Sequence, residues 1–67
     1  MPANEILIEA GKLYKVSDSL DALAEKHAPV ADALFTVSGN VRNTANLLQV
    51  LVAMRLGSPS ELNSVYN

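Results

Sequence analysis

The sequence predicts an all-α protein: an antiparallel helical hairpin, with helices over about residues 4–26 and 29–56, that dimerises into a four-helix bundle. Three observations carry this expectation. Two segments repeat their apolar residues at helical spacing, a very short break separates them, and the chain is too small to bury a large core alone. With 67 residues and no cysteine, it lacks the disulfides and thiolate metal sites that brace many small domains. A domain of this size buries only about 60% of its unfolded surface. Oligomerisation or unusually close helix packing is then the expected source of further stability.

The first helix is read from residues 5–26. At 100° per residue, Ile6, Leu13, Val16, Leu20, Leu23 and Ala24 share one side, while Lys15, Asp18, Ala22, Glu25 and Lys26 lie on the other. Asn4 is placed to cap this helix, and Glu5 complements the positive end of its dipole. It should end near Lys26-His27, because cations suit a last turn and Pro29 cannot continue the hydrogen-bond ladder. Pro29 does fit the first turn of a second helix. Consecutive helices joined by so short a link are antiparallel neighbours.

The second helix contains Ser38-Gly39-Asn40, residues that often mark a turn. Phase decides for a continuous helix: Val30, Leu34, Val37, Val41, Ala45, Leu48 and Val52 all fall within about an 80° arc. A turn would reset that phase and give a three-helix unit, which is the alternative. Gly39 costs about 1 kcal/mol relative to Ala inside a helix. A neighbouring helix approaching closely at a position without Cβ, a local kink of the kind Ser and Gly neighbours cause, or a tolerated small residue would account for Gly39, and the first and last of these apply to Gly11. Arg55 in the last turn, Gly57 at the C′ position and Pro59 beyond it end the helix near Leu56. Residues 1–57 thus form the hairpin domain and 58–67 a tail or short helix. The latter has a Ser58-x-x-Glu61 capping pattern and Leu62, Val65 and Tyr66 to bury.

A single hairpin cannot cover all of this apolar surface. Leu47, Val50, Leu51 and Met54 form a second strip beside the main stripe of helix two, and a helix that is apolar on two sides needs two neighbours. This strip is the expected dimer interface. The stripe of helix one is expected to meet Leu34, Val37, Val41 and Leu48 of its own chain, and the second strip of the other chain. Glu9 interrupts the first stripe, and Thr44 and Arg55 flank that of helix two. If Glu9 is buried, Thr44, Arg42 or Arg55 of either chain could supply its partner and fix the register.

Composition narrows the function. Five basic and seven acidic residues give a net charge of −2, and Lys12, Lys15, Lys26, Arg42 and Arg55 are scattered, unlike an electrostatic footprint for phosphates. The only histidine, His27, sits in the interhelix link without a catalytic partner, and no phosphate-binding loop, nucleophile elbow or metal-ligand pattern occurs. No enzymatic activity, cofactor or metal is expected. The N-terminus lacks the pattern of a secretory signal, and the densest apolar run is about half a membrane span, so a cytoplasmic protein is expected.

The remaining reading is a homo-oligomeric protein-interaction, adaptor or regulatory module. Leu7 and Tyr14, seven residues apart on the otherwise polar side of helix one, are its candidate partner surface. The alternative is a small DNA- or RNA-binding regulator. Arg42, Asn43, Asn46 and Gln49 are residue types that bond base edges, and a turn at Gly39 would place them near the start of a recognition helix. Acidic net charge and the bulky Phe35 at the would-be crossing argue against it.

Overall fold

The computed structural model describes residues 3–57, with side chains as far as Met54. Helix α1 spans Ala3–Lys26, a single 3₁₀ turn spans Ala28–Val30, and helix α2 spans Ala31–Gly57. The two α-helices pack side by side as an antiparallel hairpin. Glu5 stands in the first turn of α1 and Lys26 in its last, as the dipole favours. Asn4 lies inside the first turn and not before it, so it is not the cap expected of it. The link is held by main-chain bonds: the His27 N–H donates to the Leu23 carbonyl at 3.0 Å, and the Val30 N–H donates to the His27 carbonyl at 3.0 Å. Pro29 sits at the start of the 3₁₀ turn, where it needs no donor.

Helix α2 runs unbroken through Ser38-Gly39-Asn40, which removes the three-helix alternative. A Cβ placed at Gly39 or at Gly11 would meet no atom within 4 Å. Both glycines are therefore tolerated small residues, not points of close helix approach. The expectations placed on the side chain of Arg55 and on Leu62, Val65 and Tyr66 fall outside the described residues.

The seam between the helices departs from the sequence expectation. It is built from residues seven apart, small ones with a single valine at the open end: Ala10, Ser17 and Ala24 of α1, and Ser38, Ala45 and Val52 of α2, all buried. Small side chains let helix axes approach toward the short end of the roughly 8–10 Å range. At the centre, the Ser17 and Ser38 hydroxyls lie 2.7 Å apart. Ser17 Oγ lies 3.1 Å from the Ser38 carbonyl oxygen, and Ser38 Oγ 2.9 Å from that of Ser17. The hydroxyls thereby satisfy one another in a place where an unpaired polar group would be costly.

The large apolar residues flank this seam instead of filling it. Ile6, Leu13, Leu20, Leu34, Val41 and Leu48 are half-buried along its edge. Val16, Leu23, Val30 and Val37, which the sequence reading placed on the helix-contact stripes, are 43–50% exposed. The reason is geometric. Antiparallel helices this close admit only one row of small side chains between them, and everything bulkier is displaced sideways. The molecule measures 49 × 22 × 11 Å, so its shortest dimension is that of one helix.

Candidate functional site: an apolar face

Counting by sevens from the buried seam sorts the remaining residues onto two faces of the slab. One face carries Tyr14, Asp18 and Asp21 from α1 with Arg42, Asn46 and Gln49 from α2, and beside them the exposed apolar side chains of Leu7 and Phe35. Arg42 donates to Asp21 at 3.1 Å and to Asp18 at 3.2 Å. The Tyr14 hydroxyl donates to Asn46 Oδ1 and, at 3.2 Å, lies within reach of Gln49 Oε1. The Ser38 hydroxyl and then the Arg42 guanidinium hold the Asp21 carboxyl below its ordinary range, and Asp21 raises the Arg42 pKa in return. These bonds cross from helix to helix and brace the hairpin on this face.

The opposite face is nearly all apolar. It carries Ile6, Leu13, Val16, Leu20 and Leu23 from α1, with Val30, Leu34, Val37, Val41, Leu48 and Leu51 from α2. Only Glu9 and Thr44 interrupt it. Glu9 is paired with Lys12, one turn on, at 3.0 Å, and the Thr44 hydroxyl donates to the Asn40 carbonyl at 3.0 Å. Sequence periodicity grouped these residues, Leu51 excepted, into one stripe per helix, together with Ala24, Ala45 and Val52, which the fold buries in the seam. It did not reveal that both stripes point the same way, out of the slab.

A second apolar region lies at the open end of the hairpin. Ile8, Leu47, Val50 and Met54 are at least half exposed and fall on the outer edges, away from both the seam and the apolar face. The predicted interface strip therefore divides: Leu51 belongs to the apolar face, while Leu47, Val50 and Met54 belong to the outer edge of α2. Leu7 is exposed on the polar side, next to the half-buried Tyr14 whose hydroxyl is engaged within the chain. Of the four residues considered for base contacts, Arg42, Asn46 and Gln49 take part in the bracing network, and Asn43 is exposed on α2. His27 makes no capping side-chain bond at the 3₁₀ turn.

Among the described residues no helix is long and apolar enough to cross a membrane, and no three His, Cys, Asp or Glu side chains gather where they could hold a metal ion. Comparison with protein-family models, curated proteins and solved structures gives no match to this chain.

Proposed function

We propose that this hairpin is half of a homodimeric four-helix bundle, and that the bundle serves as a protein-interaction module. The observation that carries the reading is the apolar face: eleven large aliphatic residues in a row-by-row array, against a braced polar face on the other side. An exposed apolar surface of this extent marks an association site.

The surface area points the same way. The structure exposes 4876 Å², whereas a compact monomer of this mass exposes about 4,100 Å². A compact particle of twice the mass exposes about 6,800 Å², so pairing would bury about 1,500 Å² per chain. Summed over both chains, about 3,000 Å², this lies within the roughly 2,000–5,000 Å² total of obligate homodimers. The outer strip of Leu47, Val50 and Met54 on α2 is a surface such a dimer leaves open to a different protein.

Light scattering coupled to size-exclusion chromatography tests the dimer. A helical species of twice the chain mass is expected, and the substitution Val37→Glu, which places a charge in the middle of the face, should shift it to monomer. A fully helical monomer at every concentration would overturn the bundle. The interaction role is checked separately in the native host: a protein retained by the wild-type chain should be lost when Leu47 and Met54 become serine, with the dimer mass unchanged.

A further inference from the structure

The two polar interruptions of the apolar face carry information about how a second copy must sit. Ser17 and Ser38 lie opposite one another in the seam. Moving seven residues along each helix, in opposite directions, brings Ala10 level with Ala45 and Ala24 level with Ala31. On the same scale, Glu9 and Thr44 differ in level by two residues, or about 3 Å of rise. Val16 and Val37 share that offset, and so do Leu23 and Val30. Across the face, then, three rungs follow one another: Leu23 with Val30, Val16 with Val37, Glu9 with Thr44. These six side chains project most directly away from the slab, because each sits one residue before a seam position.

Two stacked slabs can be related by a twofold axis along the hairpin or by one across it. An axis across the hairpin lays α1 on α1 of the other chain in reverse. With the full faces overlapped, that sets Glu9 against the partner's Leu23 and Thr44 against the partner's Val30, burying a carboxylate on leucine. An axis along the hairpin lays α1 on the partner's α2 at equal level. Each rung then meets its own complement, apolar on apolar and Glu9 on Thr44.

Resting on the homodimer reading above, we infer that the second copy docks about a twofold axis running along the hairpin, with Glu9 of each chain meeting the partner's Thr44. The Thr44 hydroxyl, which now donates within its own helix to Asn40, turns to donate to the carboxylate. That exchange is cheap, since such back-bonds add little to a helix. Lys12, already 3.0 Å from Glu9, stays at the solvent margin and balances the charge. In the crosswise arrangement Lys12 would be the one partner of a carboxylate pressed on leucine, whereas the lengthwise one adds the Thr44 hydroxyl, and burying a charge short of hydrogen bonds is costly, so the pair favours the lengthwise axis. The same axis gathers Ile8, Leu47, Val50 and Met54 of both chains at one end of the bundle.

Disulfide trapping tests the axis, and the absence of native cysteine gives a clean background. Val16→Cys and Val37→Cys are made as separate chains, co-refolded so that mixed dimers form, and oxidised. Facing cysteines in the lengthwise dimer come within the roughly 7 Å Cα separation a disulfide spans. The expected result is a band at twice the chain mass from the mixture and from neither variant alone. Cross-linking of Val16→Cys by itself would overturn the lengthwise axis, because only the crosswise one brings two copies of position 16 together. Failure of the mixture to cross-link while light scattering still reports a dimer would overturn it too. A monomer in light scattering would defeat the dimer itself. Leu23→Cys with Val30→Cys repeats the test one rung away, should either valine variant lose helicity.

Discussion

Replacing Ala45 with leucine tests the small-residue seam most directly. Ala45 is fully buried, and it stands level with Ala10 across the seam of the hairpin. Leucine adds three carbon atoms where no space exists to receive them, so α1 and α2 must separate locally or the new side chain must leave its rotamer. Overpacking of this kind costs about 1–3 kcal/mol. Separation would also stretch the Ser17–Ser38 contact one heptad away, a buried bond worth about 1 kcal/mol, so the upper part of that range is expected. A chain of this length has about 3–10 kcal/mol of total stability. At about 4–8 °C per kcal/mol, the melting temperature should fall by some 10–20 °C. Thermal unfolding followed by circular dichroism reads this, at one fixed protein concentration because a dimer's stability depends on it. An unchanged or raised melting temperature for Ala45→Leu would refute the close seam, for it would mean that the helices stand far enough apart to accept a large side chain.

Three further outcomes follow from the same geometry. Ser17→Ala and Ser38→Ala should each cost about 1 kcal/mol in denaturant unfolding, and the double variant should cost less than their sum, since the two hydroxyls share one contact. Gly39→Ala should stabilise the helix by about 1 kcal/mol, because a Cβ there meets nothing within 4 Å; a loss of stability would show that α2 is contacted at this point. In Arg42→Met the Asp21 carboxyl should titrate at a higher pH by NMR. Because the folded Asp21 pKa lies below its unfolded value, its contribution to stability is fully present above the ordinary carboxylate pKa. That contribution is lost as pH falls through the lower folded value. The wild-type chain should therefore resist acid over a slightly wider window than Arg42→Met.

The helices themselves were legible in the sequence because their signals are local. Periodic apolar residues, Lys26 before Pro29, and a stripe that crosses Gly39 without losing phase depend only on neighbours within a few turns. Backbone hydrogen bonding at 3.6 residues per turn fixes them. The pairing surface was less legible. Hydrophobicity points to the largest apolar side chains of each helix as the contact, yet the contact is the run Ala10, Ser17, Ala24 against Ser38, Ala45, Val52. The signal was present as a seven-residue repeat of small residues, extending to Ala3 and Ala31 across the link. It carries little weight on a hydrophobicity scale, because alanine and serine contribute little apolar area.

Tertiary structure also decided what the polar side chains of the hairpin bond to. Arg42, Asn46 and Gln49 read in sequence as groups free to bond a ligand. In the fold they meet Asp18, Asp21 and Tyr14, residues 21 to 35 positions away. No local pattern encodes such meetings, since they depend on which helix faces are brought together. The sequence by itself determined that the chain is two amphipathic helices with more apolar surface than they can hide from each other. Only the tertiary structure decided where that surface goes: close packing on small residues turns both stripes outward onto one face.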